Sequence, residues 1–520
     1  LPSGEARLVK LTDLTVGEGP TRKTVSAFSV EGLSLGPLPV WLDENGKFFG
    51  FIVGLAILPE SYASEFLKLQ KAQDSALAAR APALARRFGV LPATPVAFTH
   101  VKSFDAEAGR FLEDQTVITD KDRITATGTA GAVKLPENAR IIDGAGKTLI
   151  PGLWDAHMHV SDDATGPMLL SIGVTSVRNP GTEVAPSVAR AGRIAKGELL
   201  SPAVFPSVLI DGKGPLAAQS AVTVSSATEA VSAVRIAKEK GFTGVKFYGS
   251  MKPEWLVPAI AEAKKLGLHV HGHVPATMRP ADAIAAGYDE ITHINFVMMQ
   301  AMPDDVVSKS NGIMRFEGIG RYARHVNIDS EPLKSLIATI ADKHIVVDPT
   351  LATFESLYVP ENGDLSPAYA PFAGTMPPAT ERGFRTGGFA VPKDLTRADY
   401  RASFRKLMAL TAALHRAKVP LVAGTDGSGL EIVRELELYV DAGLTPAEAL
   451  QAATINPARL VNATDTGSIQ VGKKADLVLV DGDPSKRIGD LRHTVWVMSG
   501  GRLMNADELR TAVGFTGRPH

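Results

Sequence analysis

Two histidines stand two apart in Pro151-Gly152-Leu153-Trp154-Asp155-Ala156-His157-Met158-His159, just after the apolar Thr148-Leu149-Ile150. Residues i and i+2 of a β-strand share a face, so His157 and His159 can turn both imidazoles to one point, which suits a metal ion. Alone the pair is a weak signal; four later residues that fall in short apolar runs give it weight. Lys246 sits inside Gly244-Val245-Lys246-Phe247-Tyr248, where an interior ammonium is costly unless neutralised or paired. Reaction with CO2 would make it a carbamate able to bridge two cations. The plainer alternative is a lysine that snorkels to the rim or pairs with Asp426. Leu268-His269-Val270-His271-Gly272-His273 offers three same-face histidines, of which His273 lies nearest the C-terminal end. His269 and His271 read as packed or supporting residues, with His271 an alternative ligand. His293 closes Glu290-Ile291-Thr292, and Asp426 closes Pro420-Leu421-Val422-Ala423-Gly424-Thr425. An aspartate there is either the N-cap of the next helix or a metal ligand and base.

These residues need elements that bring their ends together. From Ile150 onward short β-like runs alternate with amphipathic helices, among them Ala227–Lys240 and Trp255–Leu266. Repeated strand–helix units predict an α/β fold, a (β/α)8 barrel whose site lies at the C-terminal ends of its strands. A doubly wound sheet is the alternative, without a GxGxxG fingerprint to support it. Strands are expected over 95–142, and Leu477–Val480 with Thr494–Met498 can complete their sheet. Residues 1–92 read as a separate unit of strands followed by a helix from about Pro59 to Phe88. The stretch 355–395 breaks the rhythm, with six prolines and five glycines between Pro360 and Pro392, and reads as a loop over the barrel mouth rather than a surface insertion.

A chain of 520 residues is expected to hold two or three domains. With 55 basic against 56 acidic residues there is no electrostatic case for nucleic acid or an acidic membrane. The absence of cysteine excludes disulfides and thiolate ligands, leaving His, Asp, Glu and Lys for any metal. The longest apolar run, Phe48–Leu58, falls well short of the roughly 20 residues of a membrane span and predicts a buried hairpin. The start at Leu1 fits a trimmed or mature form, which with the extra N-terminal unit points to the periplasm or secretion, the cytoplasm being the alternative.

Over about 93–505 the chain resembles the amidohydrolase superfamily, in the binuclear-metal branch related to imidazolonepropionase and Xaa-Pro dipeptidases. The resemblance rests on the His157–His159 run, Gly173-Val174-Thr175-Ser176-Val177-Arg178, Val245-Lys246, Gly272-His273-Val274-Pro275, His293 and Gly424-Thr425-Asp426. It extends through Thr454–Arg459 and Gly467–Val478 and leaves out residues 1–92. It implies a TIM-like barrel over 150–461, a flanking β-sandwich from 93–149 and 462–520, and an N-terminal extension of unassigned role. It implies two divalent cations, usually zinc: one on His157, His159, Asp426 and N6-carboxylated Lys246, the other on Lys246, His273 and His293. A bridging hydroxide would attack an amide carbonyl, with Asp426 passing its proton to the leaving amine. A dipeptide or N-acyl amino acid is the expected small-molecule substrate, with Tyr248 and Arg178 as candidates for orienting a carboxylate or carbonyl. The plainer readings of those two are a rim tyrosine and a helix-capping arginine. Lactone or phosphotriester hydrolysis at the same site and a non-catalytic scaffold are the alternatives. Homo-oligomers are common in such families.

Overall fold

In a computed structural model, residues 5–53, 55–160 and 162–520 are described. Strands β1 (Arg7–Val16), β2 (Lys23–Glu31), β3 (Leu38–Asp43), β4 (Phe48–Val53) and β5 (Leu55–Ile57) form an antiparallel sheet in that order. Its apolar face, including Val25, Ala27 and Trp41, packs on Leu69 of the helix Phe66–Ala78, and Trp41 Nε1 donates to Gln73 Oε1 at 3.2 Å. The run Phe48–Leu58 does form a hairpin, with Gly54 outside the described residues, but only its first strand is buried, through Phe49 and Ile52. Leu55 and Ile57 are 83% and 61% exposed because β5 is the sheet's edge. The single helix expected over Pro59–Phe88 is instead a 3-10 segment, Glu60–Glu65, and two helices, Phe66–Ala78 and Ala81–Phe88. Pro82 accounts for the break: its ring is tolerated in a first helical turn but not in a helix running through it.

A second sheet begins with β6 (Val96–Asp105), β7 (Arg110–Asp120), β8 (Arg123–Thr129), β9 (Arg140–Asp143) and β10 (Thr148–Pro151). The chain then enters parallel strands β11 (Leu153–Asp155), β12 (Val174–Thr182), β13 (Ala203–Gly212), β14 (Val222–Val224), β15 (Gly244–Phe247) and β16 (His269–Gly272). Apart from β14, which pairs on the side of β13, they lie in chain order. Strands β17 (Glu290–Thr292) and β18 (Val346–Asp348) form a further parallel pair, joined to β16 by a hydrogen bond from Asp289 N–H to Val270 O. Residues 421–423 bridge the remaining gap: Leu421 pairs with Val347, and Ala156 N–H donates to Ala423 O at 2.8 Å. The expected strand Pro420–Asp426 thus makes only an isolated bridge. Asp426, with φ of 49°, leaves the extended conformation just where the strand would have to continue.

Helices Ala227–Glu239 and Pro253–Lys265 lie within two residues of the expected spans. The first is capped by Ser226, which accepts from Glu229 N–H, and buries Ala230, Ala233, Val234 and Ala237 at three-to-four spacing. After the barrel segments, β19 (Leu477–Val480), β20 (Thr494–Ser499) and β21 (Arg502–Asn505) return to the second sheet, giving the order β21-β20-β19-β10-β6-β7-β8. The irregular stretch 355–395 holds a short helix, Pro378–Gly383, and is tied down by Ala379 N–H to Leu33 O, Thr516 N–H to Thr375 O, and the Tyr369 hydroxyl to Glu431. Among the described residues no helix is long and apolar enough to cross a membrane.

Candidate metal centre

His157 and His159 lie just past the end of β11 rather than on it. The segment bends at Ala156 and His157 and is held between its neighbours: Met158 N–H donates to Arg178 O, and His157 N–H to Asp155 Oδ1 at 3.0 Å. The ring centroids of His157 stand 5.4 Å from His159 and 4.7 Å from His293, and His293 stands 5.0 Å from His273. Asp426 lies among them, Oδ1 at 3.4 Å from His157 Nε2 and 3.3 Å from His159 Nε2, and Oδ2 at 3.7 Å from His293 Nε2. Lys246 Nζ is 3.2 Å from His157 Nε2. The lysine is buried and does not snorkel, and among the described residues no carboxylate, Asp426 included, forms an ion pair with it.

The outward nitrogens explain what the inward ones can do. His159 Nδ1 contacts the Gly181 carbonyl at 3.2 Å and can only donate to it. His157 Nδ1 lies 2.6 Å from Asp348 Oδ2, an oxygen that also accepts from Arg178 Nη2, so this nitrogen too carries the proton. His293 Nδ1 meets Thr350 Oγ1 at 2.8 Å. The inward Nε2 atoms of His157 and His159 therefore present lone pairs to the Asp426 carboxylate, itself an acceptor. Acceptors facing one another at such distances repel unless a cation lies between them. His273 Nδ1 is buried without a hydrogen-bond partner among the described residues. His157, His293 and Asp426 form a group that could hold a metal ion, their ligand atoms lying within 4.8 Å of one another. The donor set is N and O only, which fits zinc.

Electrostatics favour the same state. Burial, reinforced by the Lys246 charge, holds His157 well below its ordinary value, and burial pushes His293 down to about 3. Burial opposes ionisation of Asp426, yet the nearby Lys246 charge helps hold its carboxyl below the usual range. Burial and the Arg178 charge bring the Lys246 ammonium down to about 8, against the pull of Asp426. His293 and Asp426 both have left-handed backbones, φ 69° and 49°, a cost that non-glycine residues bear mainly at functional sites.

Arg178 requires a correction. It lies within β12, not after it, and its guanidinium is buried against Glu290, with Nη1–Oε2 and Nη2–Oε1 at 2.7 and 2.8 Å. It also donates to Asp348 at 3.2 Å and, through Nε, to the Ala156 carbonyl. A guanidinium so occupied cannot orient a substrate; it anchors the carboxylate that orients His157. His269 donates from this layer to Glu290, and His271 Nδ1 is 3.4 Å from Thr292 Oγ1 with Nε2 unpartnered among the described residues, so neither joins the cluster. Asp348 and Glu290 escaped the sequence reading, although Asp348 closes the run Ile345–Val347 as Asp426 closes its own. Tyr248 stacks on His273 with centroids 3.9 Å apart and lines a cavity of about 600 Å³ over the cluster. Phe296, Phe316, Phe354 and Phe389 supply apolar wall, Phe389 coming from the irregular stretch.

The amidohydrolase family model matches residues 148–504, and the chain belongs to that family. Imidazolonepropionase from Pyrobaculum arsenaticum is 46% identical over 74 residues, 13% of this chain and 18% of the relative. The enamidase of Eubacterium barkeri is 28% identical over 207 residues, 35% of this chain and 52% of the relative. The chain thus matches about half or less of the length of these curated relatives. Among solved structures, a Xaa-Pro dipeptidase with bound methionine superposes with a TM-score of 0.58 at 18% identity, over 79% of this chain and 100% of the other. A bottromycin amidohydrolase gives 0.61 at 21% identity, over 83% and 96%. These likenesses establish a TIM-like barrel fold.

Proposed function

We propose that this chain is a metal-dependent hydrolase of an amide bond in a small substrate, a dipeptide or N-acyl amino acid. The observation that carries the reading is the set of inward lone pairs around Asp426 at the floor of a cavity of about 600 Å³, a volume that suits a small molecule. Family membership and the amide-directed names of the relatives support the reaction class. In this reading His157, His159, Asp426 and Lys246, carboxylated on Nζ, hold one cation, and Lys246, His273 and His293 hold a second. The lowered ammonium of Lys246 favours the free amine that carboxylation needs. When bound, the cations supply Lewis-acid polarisation of the carbonyl and acidify the attacking water. Asp426, kept ionised, accepts the proton released on attack and returns it to the departing amine nitrogen. The Phe296 and Phe316 walls exclude bulk water and hold the apolar part of the substrate. The barrel would run over 150–461, with 93–149 and 462–520 forming the flanking β domain and 1–92 an extension.

The test is a panel of dipeptides, N-acyl amino acids and lactones offered to zinc-loaded protein, with Asp426→Asn as control. Turnover of amides that falls at least about 10²-fold in the variant is expected. Equal turnover by the variant refutes the assigned base, and turnover of lactones alone refutes the amide reading.

A further inference from the structure

Apart from Lys246 and Asp426, the cavity wall carries one formally charged side chain, Arg315, from the helix Met314–Tyr322. The family motifs do not include it. Among the described residues Arg315 pairs with no carboxylate, whereas Arg321 and Arg324 close by pair with Asp394 and Asp399. Its guanidinium carbon lies 4.7 Å from the Phe316 ring, which supports one face of the planar group. Its backbone is fixed as well, since Asn295 Nδ2 donates to Arg315 O at 3.1 Å. It shares the wall of the cavity with Tyr248, His273 and His293.

We infer that Arg315 is the anchor for an anionic group of the substrate, a carboxylate flanking the scissile amide, with the Tyr248 hydroxyl as a second donor. This deepens the amide-hydrolase reading and rests on it for the word substrate. A half-buried guanidinium beside the Tyr248 hydroxyl, with no carboxylate partner among the described residues, is a donor suited to a planar anion. The aromatic wall beside it fits an apolar or aromatic side chain on the same ligand. Arg315 is a specificity-determining residue in this scheme and takes no part in bond cleavage.

The test is binding without turnover. Calorimetric titration of the full, zinc-loaded chain compares 3-phenylpropanoate with its neutral counterpart 3-phenylpropan-1-ol, in wild type, Arg315→Gln and Arg315→Lys. Wild type should prefer the carboxylate by about 10- to 100-fold, the range of a charge-assisted hydrogen bond. Arg315→Gln should abolish most of that preference and Arg315→Lys should keep part of it. An unchanged preference in Arg315→Gln means that the cations alone bind the anion and overturns the assignment, as does the absence of any preference in wild type. The residue is half-buried and has no carboxylate partner among the described residues, so both variants should fold; should the glutamine variant not fold, full preference in the lysine variant together with Tyr248→Phe overturns the anchor. Failure of the amide panel with loss of preference in Arg315→Gln would remove the amide reading and leave the anion site standing.

Discussion

Replacing Asp348 with alanine tests how far the outer hydrogen bonds hold the inner cluster. Without the acceptor at 2.6 Å, His157 is free to move its proton to Nε2 and rotate. Zinc affinity should then fall about 10- to 100-fold, as is usual when a ligand's supporting partner is lost, in competition with a chromogenic chelator. Unchanged affinity would mean that packing alone orients the ring. Arg178→Met should behave differently. It leaves Glu290 and Asp348 buried without their cation, a loss of about 3–5 kcal/mol in denaturant unfolding. A variant of native stability that lost only substrate affinity would restore the orienting role the sequence had seemed to offer. These two residues also mark what was legible. His157 and His159 could be paired from a two-residue spacing, and Lys246 from an ammonium set among apolar neighbours. Arg178 was misplaced because its partners lie more than a hundred residues away in Glu290 and Asp348, and no local pattern announces such a pairing. Arg315 sits on a helix outside every motif and becomes conspicuous only when its neighbours are seen to be paired.

At the scale of elements, the ends of the strands matter more than their middles. Gly424 lies where residues 421–423 meet β11, and a Cβ there would stand 2.4 Å from His157 Cβ and 2.6 Å from Asp348 Oδ1. Gly424→Ala should therefore displace both His157 and its partner, lowering bound zinc and the thermal midpoint together. A variant with full zinc content would show that the barrel wall yields more easily than the contact distances imply. The irregular stretch 355–395 is held by Leu357 O and Arg397, which fix Phe389 by hydrogen bonds to its N–H and carbonyl. Phe389→Ala should raise KM several-fold for any substrate with an apolar side chain and leave kcat within about twofold, the pattern of lost uniform binding. Hydrophobic periodicity located the helices 227–239 and 253–265 well, because each buries one regular stripe. It misjudged Pro420–Asp426, where apolar content is that of a strand but the backbone must turn to deliver a carboxylate. It likewise misjudged Pro59–Phe88, where one proline divides what composition alone would join.

The molecule as a whole is tied together by the sheet that β6–β10 share with β19–β21. Lys102 on β6 and Asp483 just after β19 form an ion pair at 2.8 Å across it. Burial would raise the Asp483 carboxyl, but hydrogen bonds from Lys102 and Ser485 outweigh it and bring it from 3.8 down to about 2. A depressed folded value stabilises the native state above the unfolded value and loses that contribution as pH falls through the folded one. Asp483→Asn should thus cost about 1 kcal/mol at pH 7, in keeping with a partly exposed pair, and the difference from wild type should shrink between pH 4 and pH 2. A difference independent of pH would assign the cost to packing. The return of the chain to this sheet was readable from Leu477–Val480 and Thr494–Met498; the single β10 strand that accepts it between β6 and β19 was not, since four residues carry too little pattern.

That same sheet sets a schedule for biosynthesis. β10 can pair with β6 once both have left the ribosome, but its other flank must wait for β19, which begins at Leu477. At roughly 5–20 residues per second of translation the interval is on the order of 20–60 s. Throughout it the apolar Leu149 and Ile150 lack their eventual neighbours Leu479 and Val478. The nascent protein consequently carries an unfinished sheet edge throughout that interval, the period in which a chaperone that shields such edges would most affect its yield.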